Sequence, residues 1–157
     1  MGEEKRLIQR KQRLSRWTKF LLDVMFWGGI AVTASLPFSM KWLGAYVPQL
    51  KESYEESVII YFVLGVSAVV LIRELRKIFV TVLKEDCFVM ENVVSLRKMG
   101  NWSFFIAGMS VVRSIVYVTI AMLVVIFVFL IAGLFSKVLA MVFEEAVRYK
   151  EENDFTI

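Results

Sequence analysis

Residues 99–136 form a run of 38 residues that holds a single charge, Arg113. One helix of that length would measure about 57 Å at about 1.5 Å per residue, nearly twice a hydrocarbon core of about 30 Å. Two helices of about nineteen residues each fit the same thickness if the turn between them is tight. Arg113, Ser114, Tyr117 and Thr119 are the polar residues in the right place, so the turn is expected near 114–119, although neither Gly nor Pro marks it. A soluble domain would not tolerate such a run, because its surface helices interleave polar with apolar residues.

Two further apolar runs precede this one. The first covers 20–38, with Asp23 near its start and Pro37 near its end, where a helix can stop at little cost. The second covers 57–72 and is uncharged, then meets the cluster Arg73, Glu74, Arg76 and Lys77. Apolar residues resume at 78–83 without Gly or Pro, which reads as one helix that leaves the membrane and continues along its inner surface. The expected fold is all-α: an integral membrane four-helix bundle with cytoplasmic helical extensions. It forms one domain over 1–157, with spans at about 20–38, 57–76, 99–116 and 118–137 and a cytoplasmic tail over 138–157. Composition agrees, since 58% of the residues are hydrophobic against about 45–50% in soluble domains. The charged residues, 22% of the chain, cluster between the apolar runs.

The first nineteen residues are basic, with Leu7, Leu14, Trp17 and Leu21 at roughly helical spacing. That pattern predicts a helix lying on an anionic inner leaflet. No small-x-small cleavage site follows the first apolar run, so the segment is read as retained rather than as a signal peptide. Trp42, Tyr46 and Tyr54 flank the first two runs as interfacial anchors do. With four spans and an inside N-terminus, the inner segments hold seven, six and three Lys or Arg, sixteen of the nineteen in the chain. The other three are Lys41, Lys51 and Arg113. This bias predicts a bacterial cytoplasmic-membrane protein with both termini inside. The same placement explains the net charge of +4 without direct nucleic-acid binding.

Chemistry is sparse. There is no histidine, and the lone Cys87 can form neither an internal disulfide nor a multi-thiolate metal site. No phosphate loop, paired acid–base carboxylates or nucleophile elbow is present, so neither an enzyme nor a cofactor is expected. Asp23 is the sharpest candidate, because an ionisable group inside a span is costly and marks a functional hypothesis. The competing reading pairs it with Lys19 one turn away, close to the interface. Arg113 is read as an outer-turn residue with its head among the headgroups, against a buried ion-pair role. Glu74 is read as part of a solvated interfacial cluster that could also bind anionic lipid. Gly28, Gly29, Ala31, Ala34 and Ser35 in the first span, Gly65, Ser67 and Ala68 in the second, and Gly108 and Gly133 later, suit close helix packing or a homo-oligomer seam.

Two stretches carry a resemblance. Phe88-Val89-Met90-Glu91-Asn92 leads to Leu96-Arg97-Lys98-Met99-Gly100, and Val142-Phe143 leads to the end of the chain, Glu152-Asn153-Asp154-Phe155-Thr156-Ile157. These resemble the Phe-x-x-Glu-Asn-x-x-x-Leu-Arg-x-hydrophobic-Gly stretch and the terminal Glu-x-Asp-hydrophobic-Thr-Ile of a bacterial membrane-protein family called domain of unknown function 2975. The resemblance implies a multipass protein without an assigned activity, often encoded beside a small helix-turn-helix regulator. It adds Glu91, Asn92, Arg97, Asp154 and Thr156 to the candidate functional residues. Asn92 or Asp86 is expected to cap the helix entering the third span.

Physical reasoning extends this to the tail. With no Gly or Pro in 134–152, the last helix should continue out of the membrane. Its stripe Val138, Met141, Val142 and Ala146 is expected to pack on Ile78, Phe79, Val82 and Leu83, with Phe155 and Ile157 closing over Phe88 or Val93. Two functions remain open at this point. One is a regulatory or scaffolding membrane protein acting through its cytoplasmic faces, with the helix-turn-helix regulator as a possible partner. The other is a small oligomeric transporter with Asp23 as its coupling carboxylate. Spans two and four offer almost no midplane polar groups for transport, which favours the first.

Overall fold

The computed structural model describes residues 2–43, 54–84, 86–116 and 118–154, and the side chains of 13, 16–39, 41–42, 58–84, 86–115 and 118–153. Four helices follow one another: α1 (Gly2–Leu43), α2 (Tyr54–Leu83), α3 (Met90–Val116) and α4 (Ile120–Asp154). The described residues contain no strand. Three of these helices are long and apolar enough to cross a membrane, through Arg16–Ser39, Val58–Leu83 and Ile120–Asn153.

The break between α3 and α4 falls at 117–119, inside the segment marked by its polar residues. The two helices fold back as an antiparallel hairpin, with Gly133 of α4 against Phe104 of α3, and Lys137 and the Gly133 carbonyl against Gly100. Packing proceeds in chain order, α1 on α2, α2 on α3 and α3 on α4. α2 and α3 therefore each lie between two neighbours. The inward face of α3 carries Asn92, Ser95, Ser103, Ser110 and Arg113, all buried. This polar lining keeps α3 out of the most apolar set even though it runs beside two helices that belong to it.

Close approach depends on small residues, because lipid offers no hydrophobic drive for helices to associate. A Cβ on Gly65 would lie 2.8 Å from the Thr33 hydroxyl of α1, and one on Gly133 would lie 2.9 Å from the Phe104 ring. Gly100 lets the aliphatic stem of Lys137 cross α3, where a Cβ would meet Cγ at 3.0 Å. Gly28 and Gly108 face open space, and Ala31, Ala34 and Ser35 are exposed, so the small patch of α1 is only partly used in packing. Two serines within the apolar segments satisfy their hydroxyls on their own helix: Ser35 donates to the Val32 carbonyl at 2.9 Å and Ser67 to that of Val63 at 2.7 Å.

Several expectations change. α1 runs unbroken from Gly2, so the basic segment is not a separate helix turned onto the membrane surface but the start of a helix 42 residues long. At about 63 Å, that helix exceeds a bilayer core by a wide margin. α1 also passes through Pro37 and ends at Leu43 rather than stopping near the proline. A proline there removes one intrahelical hydrogen bond, which the turns on either side survive. The extension of α2 is not spread along a surface either, since Ile78 enters a packed core.

That core sits at one end of the molecule, beyond the most apolar stretches. It consists of Ile78 from α2, Val93 and Leu96 from α3, and Ala140 and Val147 from α4, with Val82, Met99, Leu139 and Phe143 packed around it. It lies past the uncharged residues 57–72 of α2 and the long apolar run 99–136, whereas Phe127, Ile131 and Leu134 remain on the outside of α4.

Candidate functional site

The α2–α3 linker is fastened at this end by polar contacts. Lys84 and Asp86 donate their backbone N–H groups to the Thr81 carbonyl at 3.0 and 3.2 Å, closing the end of α2. Asn92, 1% exposed, donates Nδ2 to the Thr81 hydroxyl and to the Cys87 carbonyl, each at 2.7 Å. The Thr81 hydroxyl in turn donates to the Ile78 carbonyl at 2.7 Å. Asn92 is thus not a helix cap. Its amide ties the linker to the last turn of α2, and the expected capping role of Asp86 gives way to an ion pair with Lys150 of α4, at 2.9 Å.

Glu74 is the largest departure from the sequence reading. It is buried, not solvated, with 4% of its surface exposed. One carboxylate oxygen accepts from Lys77 Nζ at 2.7 Å and the other from the Ser95 hydroxyl at 3.0 Å. A buried carboxylate needs such partners, because an unpaired charge in this position would be strongly destabilising. Glu74, Ile78 and Thr81 stand at i, i+4 and i+7, one face of α2. That face meets Asn92, Ser95 and Leu96 on α3.

α4 closes the assembly. Arg97 Nη2 reaches Glu144 Oε2 at 2.6 Å, and the Phe88 and Phe143 rings lie 5.4 Å apart. The face of α4 turned inward is Gly133, Ser136, Ala140 and Val147, all buried. The stripe expected to pack, Val138, Met141 and Val142, is more than half exposed. The physical reason is that closely packed helices meet through small residues, so the bulky apolar stripe was the outward one. Phe155 and Ile157 lie outside the described residues, as does Thr156; Asp154 ends α4, and its side chain is likewise outside them.

Three other candidates resolve separately. Asp23 pairs with Arg76 of α2, not with Lys19: Oδ1 and Nη2 are 2.6 Å apart, without the angle of a hydrogen bond. The same guanidinium lies over the Phe26 ring, 4.6 Å from its centroid. Arg113 does not reach outward to headgroups. It is 8% exposed on the inner face of α3, with its guanidinium 5.9 Å from the Tyr61 ring centroid. Glu91 is exposed on the rim of a groove between α2 and α3 of about 580 Å³, which Lys77, Lys84 and Lys98 also line.

Thr81, Ser95 and Val147 of the joint were not singled out by sequence reasoning, and Glu74 was placed in a solvated cluster. Their signal was available as polar and small residues recurring at inward helical positions, but a hydropathy pattern does not weight it. The described residues hold no group of three or more His, Cys, Asp or Glu placed for a metal ion.

The Phe88, Asn92, Leu96 and Arg97 positions of the first motif and Phe143 of the second therefore form one structural joint between the α2–α3 linker and α4. No curated protein and no solved structure matches the chain. The family described as protein of unknown function (DUF2975) matches residues 30–157, which include every residue of this joint. A match over that share of the chain settles the family question, and the protein belongs to the DUF2975 family.

Proposed function

We propose that the protein is a regulatory or scaffolding membrane protein whose joint presents a fixed cytoplasmic face to a protein partner. The observation that supports this reading is the position of the joint. The core, the buried Glu74 and Asn92, and two inter-element ion pairs gather at one end, past residues 57–72 of α2 and the run 99–136. A molecule acting within the bilayer would be expected to concentrate its polar groups at the midplane instead.

In this reading α3 is the fourth crossing, because it follows α2 from Glu74–Ser95 to Tyr61–Arg113 while α2 crosses the bilayer. The cation distribution then orients both termini and the joint towards the cytoplasm of a bacterial cell. Beside the joint, α4 exposes Glu145, Glu151 and Glu152. The family's association with helix-turn-helix regulators makes such a protein a candidate partner, by analogy alone. The transporter alternative is disfavoured by Asp23, whose charge is matched by Arg76.

Purification in mild detergent, with identification of co-purifying proteins, tests the proposal. A defined partner should accompany the wild type and be lost from a Glu145→Lys/Glu151→Lys/Glu152→Lys variant of unchanged thermal stability. If both proteins retain no partner, and proteoliposomes instead show a proton-linked flux that needs Asp23, the transporter reading replaces this one.

A further inference from the structure

The groove between α2 and α3 has a charged floor and an apolar approach. At its floor, the exposed Lys77 and the buried Ser95 hold Glu74, so that carboxylate is already paired. Lys84, just past the end of α2, and Lys98 from α3 line the outer part and are exposed, with Glu91 on the rim. Val80, Met90 and Val94 complete the wall, so the site is amphipathic rather than purely polar.

Its surroundings continue the same pattern. Seven-residue steps from Lys98 lead along α3 to Phe105 and Val112, both exposed. From Lys77, steps of four and seven lead along α2 to Arg73 and Val66, both exposed. Such spacing keeps residues on nearly one face of a helix. Gly108 lies between the two α3 positions, and a Cβ there would meet nothing within 4 Å. The crease between α2 and α3 is thus flanked towards the middle of the bundle by exposed apolar side chains, with Arg73 between them and the lysines.

We propose that this groove binds the phosphate headgroup of an anionic phospholipid, with Lys84 and Lys98 as its contacts and the acyl chains in the α2–α3 crease. Basic pockets between membrane helices at the inner interface suit such headgroups, each cation adding attraction close to the anionic surface. Lys84 opens the six-residue α2–α3 linker and Lys98 lies on α3, so a bridging phosphate would also clamp the α2–α3 joint. The site rests on α2 and α3 lying in the bilayer, but not on the regulatory role; loss of protein-partner capture leaves it standing.

Native mass spectrometry of the detergent-purified protein titrated with phosphatidylglycerol, and separately with phosphatidylcholine, provides the test. The wild type should retain phosphatidylglycerol in preference, and a large excess of inorganic phosphate should not displace it. Lys84→Ala/Lys98→Ala should weaken retention at least about tenfold, while Lys41→Ala at the far end of α1 should behave as wild type. Equal retention of the two lipids, displacement by phosphate, or unchanged binding by the double variant would overturn the proposal. Should the double variant unfold, each single variant must weaken binding, and wild-type behaviour of both would overturn it equally.

Discussion

Asp23 on α1 and Arg76 on α2 stand 2.6 Å apart, a carboxylate and a guanidinium joining two helices otherwise held by small-residue packing. Their side chains are about one third exposed in the isolated chain, on surface that lipid or headgroups would cover. Asp23→Asn should therefore lower stability by about 1–3 kcal/mol, by leaving Arg76 with a weaker partner. The exchange Asp23→Arg/Arg76→Asp should recover part of that loss in a double-mutant cycle followed by thermal unfolding in detergent. Additive effects of the two single changes would show that the pair does not couple α1 to α2.

Asn92 anchors the linker through Thr81 and the Cys87 carbonyl. Asn92→Ala should cost about 1–3 kcal/mol, because two buried groups lose their donor. Thr81→Val should cost less, since the Cys87 contact remains. The difference should appear as faster protease cleavage within 84–89 for the Asn92 variant.

Leu96 and Val147 are 5% and 3% exposed within the core at the joint. Leu96→Ala should destabilise by about 2–5 kcal/mol, the range for a cavity in a packed core. Val142→Ala, on a side chain 54% exposed on α4, should change stability by less than about 0.5 kcal/mol. Similar losses at the two positions would place the core elsewhere.

Gly65 and Gly28 make a paired test of helix approach. An added methyl at Gly65 would lie 2.8 Å from the Thr33 hydroxyl, whereas at Gly28 it would meet nothing within 4 Å. Gly65→Ala should lower the unfolding temperature in detergent. Gly28→Ala should leave it unchanged or raise it slightly, because alanine is the better helix former.

The sequence made the long helices and the turn before α4 legible because a run of 38 residues with a single charge admits few alternatives. Arg97 and Phe88 were legible as motif residues, and the tail was legible as a helix that leaves the apolar zone. What escaped was the sense of the faces. In α4, Val138, Met141 and Val142 dominate any apolar count, yet Gly133, Ser136 and Ala140 meet α3. Glu74 and Arg113 were assigned to solvent or headgroups because charge ordinarily seeks water. Each is instead buried against partners on a neighbouring helix, Ser95 for Glu74 and Tyr61 for Arg113, and such partners cannot be inferred from spacing along one helix. Asp23 was matched to a neighbour one turn away for the same reason, when its partner lay 53 positions along the chain.

The orientation of the joint is the claim on which the proposed role depends, and single-cysteine labelling in a Cys87→Ser background measures it directly. With both termini and the joint in the cytoplasm, an impermeant thiol reagent applied to intact cells should label a cysteine at position 48 and leave cysteines at 5, 91 and 152 unlabelled until the membrane is permeabilised. Labelling of 5, 91 and 152 in intact cells, with 48 protected, would place the joint outside and contradict the account.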